Sequence, residues 1–413
     1  MHDKELYQKI LGIESPWSVS DVNLDLKVGK ISVRIEIGPR EQLPCPQCAK
    51  SSPRYDEVER SWRHLDTCQY QTELTAKVPR VNCPEHKVQQ IAVAWAAKNS
   101  RLTLLFESLV IDWLKEASLS AVALQLRMSW KQVDGVMQRA VARGLQSREA
   151  QTPKRIGIDE VSFQKRHEYV TVVTNTDRGT VIDVIDDRQK KPLIESLNKL
   201  GEKALSEIEC VSMDMHKPFI AAVKKTVPEA GAKIAYDKFH VIAYLTKAVN
   251  QVRRQEHKLL MEQGDESLKG TRFLWITGKE NLRKEQEVNL EKVKTIAIKT
   301  SQAWMFKEYA RSLWSFSKKG PALKAWKKWY QDAIESELTP IIKVAEMIND
   351  HLQGIIVAIL KTATNARAES MNNKIQHVKK MAYGFRNRKR FKNAILFHCG
   401  GLQLYPFPSR LAC

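Results

Sequence analysis

The sequence has no long hydrophobic run, no apolar leader and no even set of cysteines, and each absence excludes a class of protein. The longest apolar run, 355–360, is far too short to cross a bilayer. The first ten residues lack the apolar core of a secretory signal. Seven cysteines, an odd number, argue against a disulfide framework. We therefore expect a protein of a reducing compartment, the cytoplasm, with no membrane partner.

The composition is that of a folded, strongly basic protein. The chain has 413 residues, which suits two to four domains, and 43% of them are apolar and 28% charged. Lys and Arg number 67 against 47 Asp and Glu, which leaves a formal charge of +20. Such a surplus favours a polyanionic partner, because each phosphate that is neutralised releases condensed counterions.

Hydrophobic patterning divides the chain into segments of different period. Alternating apolar positions predict two short strands within 20–37, and a helical period runs from about 101 to 146. After a linker at 151–155, three strand-like pieces precede alternating helices and strands, which implies a mixed sheet with helical cover. Residues 250 to about 350 are helical in pattern and rich in tryptophan, and a last helix begins near Asn365. The sequence thus predicts an α/β multidomain fold.

Two short pairs of metal-binding residue types lie in the first hundred residues. They are Cys45 with Cys48, in a CxxC motif, and Cys83 with His86, in a CxxH motif. Four such ligands suffice for a closed tetrahedral zinc site without an open position for a catalytic water, so we predict a structural zinc. The alternatives are that the pairs are coincidental, or that His64 or Cys68, which lie between them, replaces one ligand.

Residues 118–143 predict two helices joined by a turn at 127–129. Ser129 followed by Gln132 forms a capping box, which gives the second helix a physical start. This helix would bury one apolar face and leave polar side chains outside, where they could read base edges or phosphates in a major groove. The candidates are Lys131, Gln132, Gln138 and Arg139. The alternative is an ordinary helical hairpin with a solvated face.

Three acidic residues fall where a ribonuclease-H-like sheet would use them. Asp159 ends a strand at 156–158, Asp214 ends a strand at 208–213, and Glu369 lies in the helix that begins near 365. The first and fourth strands of such a sheet are central neighbours, so their terminal carboxylates come close together. Like charges at close range need cations between them, and oxygen ligands suit Mg²⁺ or Mn²⁺. Taken singly, each acid could instead be a cap or a surface residue.

Further polar residues are expected around these acids. They are Asp237, His240, Asn372 and Asn373. Asp237 is the main rival of Asp214, because it also ends a strand. It lies on the following strand, one step further from Asp159, so Asp214 is favoured. Glu160 should point to the opposite face of the sheet from its neighbour Asp159.

Several long strings of the sequence carry a family resemblance. They are CPQC, RSWRHLD and CPEH near the front, GIDEVSF and VSMDM at the first two acids, YDKFHVI followed by QVRR, and NARAESMNNKIQHVKKMAYGFRN at the third acid. Together they resemble the DDE transposases of bacterial insertion sequences, specifically the IS-L-three (ISL3) family, over nearly the whole length. One habit of that family, a Gly soon after the CxxH histidine, is replaced here by Lys87.

The resemblance implies a domain plan and a set of roles. The expected domains are a zinc-binding N-terminal β module (1–98), a helix-turn-helix (99–150), and a ribonuclease-H-like core in two parts (151–250 and 356–413) interrupted by a helical insertion (251–355). Asp159, Asp214 and Glu369 take the catalytic, metal-binding roles. The resemblance also implies binding to terminal inverted repeats and Mg²⁺-dependent transposition. The tryptophans of the insertion would pack that domain, or one or two would stack on flipped bases.

The expected reaction has two steps at one site. Water hydrolyses a phosphodiester at the transposon end, and the released 3′-OH then attacks target DNA. Because the second step is a transesterification that exchanges one phosphodiester for another, ATP is not required, and the sequence has no GxxxxGK[ST] loop. The side chains expected to grip backbone phosphates, unless they form a solvated charge run, are Arg386, Arg388, Lys389 and Arg390. Joining two ends requires a dimer or larger synaptic complex, which we expect at the bacterial nucleoid.

Two other functional classes stay open on the sequence alone. A sequence-specific DNA-binding protein without chemistry would carry the acids for other reasons. A ribonuclease-H-like nuclease would cut DNA but never join strands.

Overall fold

The computed structural model of the protein describes residues 3–39, 42–164, 168–361 and 366–407, and at 366–369 the backbone alone. The chain separates into two units. The first runs to Arg148 and includes the tail from Leu402, and the second runs from Glu149 to Gly401. Along the described residues, none of the helices has the length and apolarity needed to cross a bilayer.

The first unit is built on a six-stranded sheet that follows helix α1 (Asp3–Ile10). Its strands are β1 (Trp17–Asp25), β2 (Lys30–Ile37), β3 (Gln42–Pro44), β4 (Ser51–Arg63), β5 (Gln71–Cys83) and β6 (Lys87–Gln90). The order is β1-β2-β5-β4-β3, with β6 also on β5. The two strands predicted within 20–37 are the hairpin β1–β2, whose turn uses Gly29 at φ +70°, a conformation that glycine adopts without strain.

Three helices complete the first unit. They are α2 (Leu104–Glu116), α3 (Leu119–Gln125) and α4 (Trp130–Gln146). Each begins at a hydroxyl cap, and the predicted capping box of Ser129 and Gln132 is present at α4. Arg127 adopts a left-handed φ of 52° in the turn before α4. The predicted apolar face of α4 is buried, so this pair of helices is confirmed as a packed unit.

The end of β4 joins this sheet to α2. The N–H of Arg63 donates to the Arg101 carbonyl at 2.9 Å, and the N–H of Thr103 donates to the Arg63 carbonyl at 3.0 Å. Beside them, Nδ1 of the buried His64 lies 2.9 Å from the hydroxyl of Thr103, the residue that caps α2. Asp66 pairs with Arg63 and Arg127, and so ties the turn before α4 to the same strand end. The helices and the sheet are therefore held together by polar contacts.

The second unit contains a five-stranded mixed sheet. Its strands are β7 (Arg155–Gln164), β8 (Glu168–Asn175), β9 (Thr180–Ile185), β10 (Cys210–Met213) and β11 (Ile234–Tyr236). The order is β11-β10-β7-β8-β9: the first three strands form an antiparallel meander, and β10 and β11 add in parallel on the other side of β7. The first and fourth strands of this sheet are central neighbours, as the ribonuclease-H-like interpretation predicts.

Helices cover this sheet and extend beyond it. They are α5 (Lys190–Asn198), α6 (Glu202–Glu207), α7 (Lys217–Thr226), α8 (Ala230–Lys233), α9 (Lys238–Glu262), α10 (Arg272–Ile276), α11 (Lys284–Lys294), α12 (Ile298–Ser312), α13 (Lys319–Ile334), α14 (Thr339–Asp350), α15 (Leu352–Leu360), α16 (Ala366–Met381) and α17 (Arg388–Cys399). Ile158 faces the main core with α5 and α7, and Phe163 faces α17, where its ring lies 5.7 Å from that of Phe391.

The helical region from α9 to α14 has a core rich in tryptophan. Trp275, Trp326 and Trp329 are among the largest fully buried side chains of the described chain. Between α10 and α12, the ammonium of the buried Lys307 donates to the carbonyls of Trp275 at 2.8 Å and Thr277 at 3.0 Å. These three tryptophans therefore pack the helical domain and offer no ring face to a nucleic-acid base.

The buried His64 gives the first unit a predictable response to pH. Burial, together with the charge of Arg63, lowers the pKa of His64 from 6.5 to about 4. Between these values the unfolded chain binds a proton that the folded chain does not, so stability is full above pH 6.5 and falls as the pH is lowered toward 4. At about pH 5.5 the loss should reach about 1.4 kcal/mol, the worth of one pKa unit.

We predict that His64→Gln, whose amide stays neutral, loses less stability than wild type between pH 7 and pH 5.5. Chemical denaturation of both proteins at each pH, with zinc in excess, gives the free energy of unfolding. The change between the two pH values is then compared between variant and wild type. Equal losses in the two proteins would contradict the assignment of this proton to His64.

Candidate functional site

Three aspartates lie at the same level of three neighbouring strands in the second sheet. In the register of the parallel strands, Met213 pairs with Ile158 on one side and with Tyr236 on the other. The next residue on each strand is an aspartate: Asp159 after β7's Ile158, Asp214 after β10, and Asp237 after β11. The prediction that Asp159 ends its strand is wrong, because β7 continues to Gln164 with its pairing to β8. Asp214 and Asp237 do follow the ends of their strands, and the parallel register places all three aspartates at one level. Asp214 is central, and Asp237 is one strand further from Asp159, as the sequence predicts.

Asp159 is oriented by groups on two sides. Its Oδ1 accepts the N–H of Glu160 at 2.7 Å, and its Oδ2 accepts the side-chain N–H of Asn372 at 2.6 Å. Asn372 comes from α16, so this bond links β7 to the helix that carries the third predicted acid. Each carboxylate oxygen has a second lone pair, so Asp159 keeps acceptor capacity for a further ligand.

His240, from the first turn of α9, lies between the other two aspartates. Its Nδ1 is 3.9 Å from Asp214 Oδ2, and its Nε2 is 3.7 Å from Asp237 Oδ2. Asp214 Oδ1 accepts the N–H of Met215 at 2.6 Å. Asp237 caps α9 by accepting the N–H of Phe239 at 2.6 Å. Asp237 therefore caps a helix, whereas the helix that follows Asp214 has His216 at its N-cap. The side chain of Asp237 is only 12% exposed, against 28% for Asp214.

These residues line one cleft. Its walls are Gly157, Ile158, Asp159, Val172, Thr174, Ser212, Met213, Asp214, Asp237, His240 and Asn372. Burial raises the pKa of Tyr244, and the negative charges of Asp214 in the cleft and of Glu160 add to the rise. Among the described residues, the acids do not close into a set of three as tight as the cysteine cluster below.

The remaining predicted neighbours divide between this cleft and other places. Residue 369 belongs to α16, but the Glu369 side chain lies outside the described residues. Asn373 lines a different groove, between α16 and α17, because one residue further along a helix rotates the side chain by about 100°. Glu160 points away from Asp159, as predicted, toward Arg188 at 3.2 Å and His216 at 3.8 Å.

The predicted zinc ligands come together in the first unit. One ligand atom from each of Cys45, Cys48, Cys83 and His86 lies within 4.8 Å of all the others. The Sγ atoms of Cys48 and Cys83 are 3.7 Å apart, and Nδ1 of His86 is 3.6 Å from Cys83 Sγ. Tetrahedral zinc with Zn–S bonds of about 2.3 Å would hold its sulfurs about 3.8 Å apart, so the cluster fits the ion. The alternatives His64 and Cys68 lie outside the cluster.

The protein environment also prepares one thiol for a metal. Burial opposes ionisation of Cys83, but hydrogen bonds from the backbone and ring of His86, and from the backbone of Glu85, outweigh it and lower the pKa of the thiol to about 6. A thiolate is the form that binds metal. The turn of the CxxH motif thus supplies both a ligand and the N–H groups that stabilise its charge.

The outer face of α4 carries the residues predicted to contact DNA, and several have partners within the protein. Arg139 donates to Glu107 Oε2 at 2.7 Å, and Arg143 donates to Glu107 Oε1 at 3.1 Å. Glu107 is 1% exposed on α2, and the sequence reasoning missed it. An acid inside the apolar face of α2, between Phe106 and Val110, is the signal that could have revealed it.

Other predicted DNA contacts are arranged as follows. Gln132 accepts the N–H of Ser129 in the capping box, and Gln138 donates to Asp134 at 2.9 Å. Lys131 is exposed at the start of α4. In the C-terminal basic stretch, Arg386, Lys389 and Arg390 are exposed. Arg388 is half-buried and donates to the Asp186 carbonyl at 3.0 Å and to Glu168 at 3.2 Å, so it anchors α17.

Comparison with known protein families now assigns the chain. A family model described as transposase matches residues 156–395, which is more than half of the chain. A model described as the zinc-finger of transposase IS204/IS1001/IS1096/IS1165 matches 41–86, and one described as the helix-turn-helix domain of transposase family ISL3 matches 91–141. The chain belongs to the transposase family ISL3. It is thus a DNA-binding transposase, an enzyme that acts on DNA, and its zinc-ribbon domain carries the cluster described above.

Curated relatives agree with this assignment. The transposase for insertion sequence element IS1557 from Mycobacterium tuberculosis is 27% identical over 422 residues, with 94% of this chain and 93% of the relative covered. The transposase for insertion sequence element IS1001 from Bordetella parapertussis is 23% identical over 352 residues, with 84% and 86% covered. The resemblance read from the sequence is therefore confirmed.

We predict that Cys45→Ser abolishes zinc retention in this ISL3 transposase. A structural ion contributes directly to folding, so loss of a thiolate ligand should unfold the zinc-ribbon module. Zinc content of the purified protein and thermal unfolding measure the two effects. The matched control is Cys68→Ser, an exposed cysteine outside the cluster, which should keep wild-type zinc. Wild-type zinc content in Cys45→Ser would refute the assignment.

Proposed function

We propose that Asp159, Asp214 and Glu369 are the catalytic carboxylates of this transposase and hold two divalent ions, Mg²⁺ or Mn²⁺. The observation that carries the proposal is the register of β7, β10 and β11, which places Asp214, after the end of β10, level with Asp159 within the neighbouring central strand β7. Three carboxylates and the Asn372 amide line the cleft beside the His240 ring, and hard cations prefer such oxygen ligands to sulfur or nitrogen. Asp237 caps a helix and belongs to the surroundings of the pair.

The position of Glu369 in α16 supports its inclusion. Residue 369 precedes Asn372 by three positions, a spacing that puts two residues on the same face of a helix. Asn372 donates to Asp159, so this face of α16 is the one turned to β7 at Asp159. A carboxylate one turn before Asn372 is well placed to complete the set.

Each residue of the cleft has a definite task in the proposed reaction. Asp159 and Asp214 would hold the divalent ions, and the hydrogen bond from Asn372 keeps Asp159 from rotating. His240 lies beside Asp214 and Asp237 and holds the second carboxylate in position. Bound divalent ions would supply activation of the attacking oxygen and stabilisation of the leaving one. The first attack, by water, releases a 3′-OH, and the second, by that 3′-OH, joins it to target DNA without ATP.

The DNA contacts are proposed for two surfaces. On α4, Lys131 and Gln138 reach base edges or phosphates, with Gln132 and Arg139 beside them as the capping and ion-paired members of the same face. At the C-terminal end of the core, Arg386, Lys389 and Arg390 contact backbone phosphates, and Arg388 holds the helix that presents them. The proposed ligand is double-stranded DNA with the terminal inverted repeats of an insertion sequence.

The wider setting follows from this chemistry. We propose the domain limits 1–98, 99–150, 151–250, 251–355 and 356–413, except that residues from 402 group with the first unit. Because two transposon ends must be joined in concert, the working form is a dimer or a larger synaptic complex. Its place is the bacterial cytoplasm, at the nucleoid.

We predict that Asp159→Asn and Asp214→Asn lose more than about 100-fold in the rate of end cleavage, which exceeds the 10–100-fold typical of an outer partner of a metal ligand. Asn372→Ala, as such a partner, should fall within that lower range. Cleavage and joining are measured on a labelled transposon-end duplex with Mg²⁺, and DNA binding is measured in parallel. Binding should be retained in all three variants.

Glu160→Gln is the matched control, because it removes the neighbouring carboxylate on the other face of the same strand. It should cut and join as wild type does. Activity in Asp159→Asn would end the catalytic assignment and leave a DNA-binding protein. A wild type that cuts but never joins would make the protein a nuclease. If Asp237→Asn loses all cleavage activity while Asp214→Asn keeps it, Asp237 and not Asp214 is the second catalytic carboxylate.

A further inference from the structure

A glycine stands in the middle of α4, where the packing of the protein does not require one. Gly135 is the sixth residue of this 17-residue helix. Glycine is the poorest helix former apart from proline, because it loses the most backbone freedom on folding. Gly135 does not have a positive φ, so any L-residue could adopt its backbone conformation.

Space within the protein does not explain this glycine either. A Cβ built on Gly135 meets only a guanidinium nitrogen of Arg139, at 3.4 Å, which is the end of a flexible side chain. Gly144, the other glycine of α4, is different: there a Cβ would lie 2.7 Å from the Cβ of Leu402. Close packing within the first unit accounts for Gly144. Nothing in the described contacts of the protein accounts for Gly135.

The place of Gly135 on the helix shows what it faces. The buried side of α4 includes Val133, Val136, Met137 and Ala140. At about 100° per residue, Gly135 lies roughly opposite the centre of that side. Lys131 and Gln138 flank it on the outer face, four residues before and three after. The centre of the outward surface is therefore the one position with no side chain, between two long polar ones.

We propose that Gly135 is the point of closest approach between α4 and the major groove of duplex DNA. The proposal rests on the role of α4 proposed above, within the helix-turn-helix region that the family match identifies. A helix with its side chains is about 10–12 Å wide and the major groove is about 12 Å wide, so one methyl group at the centre of contact changes the depth of insertion. Without a Cβ there, Lys131 and Gln138 reach the base edges.

The charge of the protein and the chemistry of this face favour DNA as the occupant. The chain carries a formal +20, and the flanking side chains are a cation and an amide that pair with base edges or phosphates. The side chains that flank Gly135 at helical spacing, Lys131, Gln132, Gln138 and Arg139, are all polar, whereas a protein partner is usually anchored by buried aromatic and apolar residues.

The test is Gly135→Ala, with binding measured on a duplex selected from a random-sequence pool by the wild-type protein and on a scrambled duplex of equal length. We expect a higher Tm, because alanine is the better helix former. We also expect about a tenfold or greater loss of affinity for the selected duplex and less than about a threefold loss for the scrambled one. The matched control is Gly320→Ala in α13, where a Cβ meets nothing within 4 Å, and whose affinity should be that of wild type.

A second comparison separates the methyl group from an effect on Arg139. Gly135→Ala is combined with Arg139→Gln, and the losses of affinity should add in the double variant if the methyl itself is excluded by DNA. If the double variant binds no worse than Arg139→Gln alone, displacement of Arg139 is the cause and the proposal is overturned. It is also overturned if Gly135→Ala binds the selected duplex as tightly as wild type.

The role of α4 is tested separately by Lys131→Ala and Gln138→Ala. If these weaken binding to the selected duplex and Gly135→Ala does not, only the close approach at Gly135 fails. If neither weakens it, α4 is not the helix that reads DNA, and both proposals fall.

Discussion

The parallel pairing of β10 with β7 is the interaction on which the rest of the second unit depends. Four residue pairs, from Cys210 with Arg155 to Met213 with Ile158, place Asp214, which follows β10, level with Asp159 within β7. A shift by one residue would turn either aspartate to the opposite face of the sheet. The pairing of β11 with β10 extends the same level to Asp237. Long-range strand pairing thus decides which of the acids meet.

The resulting cleft gathers like charges, which conflicts with stability. The close carboxylates repel one another, and this repulsion is reduced by groups already in place: Asn372 donates to Asp159, and backbone N–H groups donate to Asp159 and Asp214. These bonds orient the acids but leave lone pairs toward the cleft. The proposed ions would remove the remaining repulsion, so the same arrangement that costs stability when empty favours metal binding. In the first unit the buried negative charge of Glu107 would also cost stability, and salt bridges with Arg139 and Arg143 offset that cost.

Much of this could be predicted from the sequence, because the decisive signals are local. The CxxC and CxxH spacings, the capping box at Ser129 and the aspartates that follow short apolar runs each occupy a few consecutive residues. The order of strands and helices along the chain indicates the order of strands in the sheet. That β7 continues beyond Asp159 was not predicted. What could not be predicted depends on how elements pack. The difference between Asn372 and Asn373 is the rotational setting of α16 against β7. The pairing of Arg139 with Glu107 needs the position of α4 against α2, which no spacing reveals.

The central claim is that Asp159, within β7, and Asp214, after the end of β10, form a divalent-metal site. The most direct measurement is anomalous diffraction from crystals of the protein grown with Mn²⁺ and a transposon-end duplex. The account predicts strong peaks in contact with the carboxylates of Asp159 and Asp214, beside a phosphate of the DNA. Peaks elsewhere, with both carboxylates bare while DNA occupies the cleft, would contradict it.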